Sequence, residues 1–428
     1  LGGLGASFYQ PVITLNDGTM WQLDAEQYLS CANLTLRGAT VKIMANDLRL
    51  QGGILNITNS SLVTSFTGAG SVNLFGATTF NVANGSLPTD CSVEVPVNSS
   101  GAQNVIKTGA GTLTFTRACG YTGTTTIGAG VLQIDGGDDI LPASTSLTIT
   151  NGASLVLNDN RQTVTRLLLG GSVNVGFGAL RCLTASNDTY AGVISGTWDG
   201  LPTDDTQLSP SGGFAMGGTG KLTLTAAQTY TGDTWITAGT LALSGVGGMT
   251  ASSNLVVSSG ATLDATARTG GLGLTSGQTL KGNGKVFGTT LVNSNATISP
   301  GESVGVLTTG AQTWAGGGIY NWEINDATTP GSWDSMTVTG AVTVTATAAI
   351  PFNLKLASPS GPLSGFNSAS NYTWTIATTT GGVSGFAANK FAVDASGLGV
   401  SLGGGVFSVE QQGNNIVLRF TSAVAPTI

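Results

Sequence analysis

The sequence predicts an all-β chain built as a parallel β-solenoid, and three observations carry that prediction. Glycine is abundant, at 65 of 428 residues, about 15%, roughly twice the usual share of about 7%. Thr, Val, Ile and Leu alternate in short runs bounded by glycine, the period-two pattern of strands with one buried face. A segment of about thirty residues returns further along the chain without a gap, and repetition at that scale marks stacked repeat architectures.

The repeat comes first. Residues 107–136, KTGAGTLTFTRACGYTGTTTIGAGVLQIDG, align with 216–245, MGGTGKLTLTAAQTYTGDTWITAGTLALSG, and 15 of the 30 positions are identical. Among them are Gly109/Gly218, Gly111/Gly220, Leu113/Leu222, Tyr121/Tyr230, Gly123/Gly232, Gly130/Gly239 and Leu132/Leu241. The likeness continues where SLTITNGASL at 146–155 matches NLVVSSGATL at 254–263, and weaker copies lie at 32–41 and 68–82. Each unit reads as short strands joined by tight turns, with glycine taking backbone angles closed to other residues. One unit cannot bury its apolar face alone. Units stacked on one axis can, each strand pairing with its counterpart in the next rung. A rung of roughly 20–25 residues is expected, with strands about 4.8 Å apart.

The pattern GxGxLTLT…TYTGxTxIxAGTLxL, clear at 109–134 and 218–243, resembles the autotransporter-associated β-strand repeat, also called the passenger-associated transport repeat. Residues 278–308, with the core SPGESVGVLT, are similar to the segment that follows such repeats in large secreted passengers. The resemblance covers about half of the chain. It implies a right-handed β-helix, assisted secretion and a location outside the cell or on a bacterial surface, and it says little about activity. The membrane β-barrel of about a dozen strands that ends an autotransporter is not seen after Gly301, and the chain is read as one without that barrel.

Three regions are expected: an N-terminal cap or strand-exchange segment at 1–30, the repeat-bearing solenoid at 31–299, and a C-terminal β-rich region at 300–428. The last has longer alternating strands such as IYNWEI, FNLKLA and NIVLRF, read either as a small sandwich or as wider rungs. The apolar extended segment SFYQPVITL suits a buried first rung, or a strand donated to a second copy through Ser7, Phe8, Tyr9, Val12, Ile13 and Leu15. The start of the chain carries no charged-then-apolar leader and is read as mature or trimmed.

Composition excludes several classes. Charged residues make up 9%, the formal net charge is −7, and mean hydropathy is +0.23. These values argue against disorder and against a basic nucleic-acid surface. No run of about 18 apolar residues occurs, so no membrane helix is expected. There is no histidine, which removes Ser-His-Asp and Cys-His catalysis and the commonest zinc ligand. The GxSxG match at Gly301–Gly305 lacks both a His base and a following helix, and is read as a turn.

Cleavage of a sugar needs two carboxylates converging across a groove. The nearest pairs in sequence are Asp24/Glu26, Asp138/Asp139, Asp204/Asp205 and Glu323/Asp326. All suit turn or loop acids better than catalysis, so no catalytic, cofactor or metal residue is assigned and no cofactor is expected. Cys31, Cys91, Cys119 and Cys182 form an even set that suits disulfides in an oxidising compartment, with buried free thiols as the other reading. Trp235 lies at a strand position of the second repeat, where pointing outward would let it bind a glycan or a neighbouring chain, and a core role fits at least as well.

The sparse charge leaves little to block contact between copies. The expectation is therefore a secreted structural subunit that assembles with copies of itself into a fibre or surface layer. The alternative is a monomeric adhesin rod that binds a glycan or a host surface. A polysaccharide-active enzyme ranks third.

Overall fold

The computed structural model describes residues 12–31, 34–197 and 212–423. It contains parallel β-ladders and, among the described residues, no α-helix. The chain divides into two compact units: residues 1–203 with 211–213, and residues 204–210 with 214–428.

In the first unit, the chain turns through successive faces and each strand pairs in parallel with its counterpart one rung on. One face runs Ile13–Leu15, Leu34–Leu36, Gly53–Ile57, Thr78–Val82, Val105–Thr108, Thr125–Ile127, Ser146–Ile149, Arg166–Leu169 and Asn187–Tyr190. A second runs from Met20–Leu23 through Thr112–Phe115 and Val131–Ile134 to Ile194–Ser195. A third holds Gln27–Leu29, Asp47–Leu50, Ser71–Leu74 and Val97–Ser99. The offset between partners ranges from 18 residues, Ser154 opposite Ser172, to 27, Thr78 opposite Val105. The alternation is a packing device: in Thr78–Val82, Thr78, Phe80 and Val82 are buried while Thr79 and Asn81 are not. Inward side chains fill the interior, and outward Ser, Thr and Asn bond along the ladder, as Asn81 Nδ2 does to Asn56 Oδ1 at 2.9 Å.

The second unit repeats this plan. On one face Phe214–Met216 lie opposite Thr234–Ile236, and Asn254–Val257, Thr279–Gly282, Thr297–Pro300, Ile319–Glu323, Phe352–Ala357 and Phe391–Gly397 follow. A second face runs from Lys221–Leu224 to Tyr372–Thr379, and a third from Leu272–Leu274 to Val383–Ser384.

The parallel ladder runs through position 300 into wider rungs. Ile319 lies opposite Asn353, 34 residues on, and Asn353 opposite Ala392, 39 on. Of the two readings of the C-terminal region, the wider rungs are therefore what forms. They enclose more space, and aromatic side chains fill it: Trp314 stacks on Phe352 with centroids 4.8 Å apart, and Trp322 lies 5.9 Å from Trp374. Each indole N–H finds an acceptor, Gln312 Oε1, the Asp334 carbonyl and the Ala327 carbonyl respectively, as buried tryptophans require. The series ends with a change of direction. Asn415–Thr421 pairs antiparallel with Tyr372–Thr379, and Val406–Gln412 pairs antiparallel with it in turn.

Candidate functional site

Each copy of the repeat folds into two consecutive rungs that stack on each other. In the first, Val105 faces Thr125 and Thr112 faces Val131; in the second, Phe214 faces Thr234 and Lys221 faces Thr240. The identical positions are those the stacking needs. Gly130 and Gly239 have φ of +66° and +65°, a region side chains rarely adopt. A Cβ on Gly130 would also stand 2.5 Å from the carbonyl oxygens of Gly109 and Gly111. Tyr121 is buried, its hydroxyl 2.5 Å from Thr125 Oγ1, which is 2.9 Å from Thr145 Oγ1. Tyr230, Thr234 and Ser252 form the same chain at 2.7 and 3.0 Å. These buried hydroxyls satisfy one another, so the repeat's invariants hold rungs together.

Position 107 departs from this identity. Lys107 is fully buried where the second copy has Met216. Its ammonium donates to the carbonyls of Thr108, Gly109 and Ala129 at 2.8, 2.8 and 3.0 Å. Burial pulls its pKa down to about 8, against the opposing pull of Asp90 and then Cys91.

The carboxylate pairs read from the sequence do structural work. Asp138 Oδ1 accepts from the Arg161 N–H and Asp139 Oδ1 from the Thr163 N–H, both at 2.7 Å, so this pair fastens one rung to the next strand. Asp24 accepts from Gln22, and Glu26 pairs with Arg49 at 2.6 Å. Asp326 closes its own turn by accepting from Thr328 and Thr329, bonds that lower its pKa to about 2. Asp204 and Asp205 lie outside the described residues.

Glu323 differs, because it lines an open polar cavity of about 350 Å³ on the outer side of the second unit. The floor is a row of outward side chains in ladder register: Lys281 opposite Ser299, and Asn321 opposite Lys355. The inward neighbours Leu280, Ile298, Tyr320 and Leu354 are buried. The Gly301–Gly305 turn forms a wall that carries Glu302. It follows strand Thr297–Pro300 and precedes Val306–Thr309, so the GxSxG match is a turn between strands.

That turn is fastened from two sides. Asn283 Oδ1 accepts from the Val306 N–H at 3.1 Å. The buried Asp334 carboxylate accepts from Gly305 N–H at 2.7 Å and from Glu323 N–H at 2.9 Å. One buried carboxylate thus ties the turn bearing Glu302 to the strand bearing Glu323. Burial raises Asp334 to about 8, and it raises Glu323 as well, with Lys281 acting against the second shift. No spacing in the sequence pointed to this group: its members come from four rungs.

Where the even cysteine count predicts pairing, the structure holds four free thiols. The inward ladder positions beside Cys91 are Thr64 and Leu113, and Cys182 lies opposite Val164, so rung stacking brings no second cysteine into register. Cys31 Sγ faces Thr78 Oγ1 at 3.9 Å, and Cys119 Sγ donates to the Arg117 carbonyl. Burial raises all four pKa values, that of Cys31 to about 11 and those of Cys119 and Cys182 to about 12.

Trp235 occupies an outward strand position yet is only 8% exposed, packed with Ala215 and Val256. It offers no open stacking platform. Of the proposed exchange strand, Ile13 and Leu15 pair within the chain, opposite Leu34 and Leu36, and Val12 is exposed. Ser7, Phe8 and Tyr9 lie outside the described residues. Among the described residues, no three acidic or cysteine side chains are grouped to hold a metal ion.

The family model described as the passenger-associated-transport-repeat matches residues 105–134 and 216–243. The chain carries that repeat twice. It is also 32% identical over 205 residues to the adhesin BmaC autotransporter of Brucella suis biovar 1, a match that covers 46% of this chain. The chain spans only 5% of the length of that relative. The matched residues coincide with the two rung pairs above, so the repeat read from the sequence, the family match and the folded unit are one object.

Proposed function

We propose that this chain is a segment of a secreted, surface-exposed adhesin passenger, a non-enzymatic β-solenoid scaffold that displays a binding face. The observation that carries the reading is the pair of passenger-associated transport repeats, each folded as two stacked rungs, in a chain similar to an autotransporter adhesin. The roles of the carboxylate pairs agree with it, since Asp138, Asp139 and Asp326 are spent on backbone N–H groups. The test is attachment. Beads coated with the folded chain should bind cultured host cells above beads coated with the heat-unfolded chain. Equal binding by the two overturns the adhesin reading.

A second reading is a structural subunit that polymerises with copies of itself into a fibre or surface layer. The observation in its favour is the first described rung, where Val12, Met20 and Tyr28 are exposed by 75%, 63% and 48%. Deleting residues 1–15 tests the donated-strand version, which fails if assembly persists unchanged.

A further inference from the structure

We infer that the outer cavity bounded by Lys281, Lys355, Glu302 and Glu323 binds a saccharide that carries a carboxylate. This rests on the adhesin reading and names the ligand class and the place of contact.

The argument begins with unused bonding capacity. The Lys281 and Lys355 ammonium groups and the Glu302 and Glu323 carboxylates all line the cavity. None of the four side chains has a hydrogen bond or an ion pair within 4 Å; at longer range Lys281 acts on Glu323, and Lys355 acts on Asp394, its neighbour in the ladder. In a chain with 9% charged residues, four charges around one recess with no direct hydrogen bond between them are a concentration of binding groups. The Asn321 amide donates to Ser299 Oγ at 3.2 Å and keeps its carbonyl oxygen free to accept.

The arrangement is also held in place. Lys281, Asn321 and Lys355 stand on laddered strands, and the Glu302 turn is fastened by Asn283 and by the buried Asp334. The backbone beneath these side chains therefore needs no rearrangement on binding, one part of what preorganisation contributes to affinity.

The chemistry selects the ligand. At about 4.8 Å per rung, the three steps from Lys281 to Lys355 span about 14 Å, an elongated floor with an ammonium at each end. Ser299 and Asn321 between them suit hydroxyl groups, and the two glutamates accept from hydroxyl donors. The lysines suit a carboxylate through charge-assisted hydrogen bonds. A cavity of about 350 Å³ sits at the small end of the roughly 300–1,000 Å³ of ligand sites, so an oligosaccharide would lie along the row with part of its length in solvent. The polar, hydroxyl-lined floor gives a long apolar ligand nothing to bury.

The experiment uses the whole chain and two probes, sialyllactose and lactose, which differ by one acidic sugar. Binding is read by titration calorimetry at low salt. The expected result is saturable binding of sialyllactose and at least tenfold weaker binding of lactose. Lys281→Met and Lys355→Met should each weaken sialyllactose about tenfold, the loss of one charge-assisted bond. Lys221→Met, on another face, should change nothing, and unchanged thermal unfolding of all three variants shows that they fold. Equal affinity for the two sugars overturns the acidic class. No binding of either, or binding indifferent to both cavity lysines, overturns the site. Bead attachment measured on the same preparations separates the outcomes: attachment without saccharide binding removes this site alone, and loss of both removes the adhesin reading with it.

Discussion

Three residues carry the most instructive chemistry. Lys107 holds its charge by giving its ammonium to three carbonyls. A buried ion replaced by a well-packed apolar residue of similar volume often leaves stability unchanged, and Met216 shows that the fold accepts methionine there. Lys107→Met should therefore shift unfolding by no more than ~1 kcal/mol. Lys107→Ala should cost ~2–5 kcal/mol through the cavity it leaves; urea unfolding of the two variants checks the contrast.

Asp334 gives a pH prediction. Its folded pKa lies near 8, above the ordinary 3.8, so between those values the folded chain holds a proton that the unfolded chain has released. Stability must then fall as pH rises through that window. Melting temperatures across the window should decline for the native chain, and Asp334→Asn should flatten the decline. A slope unchanged in the variant would assign it to other groups. Gly130→Ala combines a left-handed backbone with a Cβ 2.5 Å from two carbonyl oxygens. It should cost more than the ~1–2 kcal/mol of the backbone term alone, and Gly239→Ala, placed alike, should match it in a paired unfolding measurement.

At the scale of elements, the unit of construction is the rung pair. Its glycines, its Tyr and its Leu/Thr alternation were legible in the sequence because each answers a local demand: a positive φ at Gly130, a buried hydroxyl chain at Tyr121, one buried face at Leu222 and Leu224. Other features were hidden for physical reasons. Charge predicts exposure, so Lys107 gave no sign of burial. An even cysteine count gives no register, and the register places Thr64 and Leu113 beside Cys91. The cavity draws Lys281, Ser299, Asn321 and Lys355 from separate rungs, and only the ladder aligns them.

The wider rungs broke the period that had made the earlier ones visible, their partners lying 34 and 39 residues apart. The closing antiparallel strands have a task of their own. Asn415–Thr421 covers the edge of Tyr372–Thr379, and an uncovered edge is a template for aggregation. Truncation after Gly404 should leave a chain that aggregates on refolding, measured by light scattering, while the full chain stays clear.

For the whole molecule, two compact units built on one plan fit a scaffold whose interior is devoted to stability and whose outer side chains are free to vary. The fold class was readable from the repetition and the glycine content. The choice between a self-assembling subunit and an adhesin was not, because sparse charge permits contact between copies without specifying it. The similarity to an autotransporter adhesin moves the weight to display and attachment, and the cavity between Lys281 and Lys355 is the proposed place of contact. Electron microscopy of the native protein over a wide concentration range tests this most directly. Separate particles at every concentration are the predicted result; ordered filaments or sheets would contradict it and restore the self-assembling subunit.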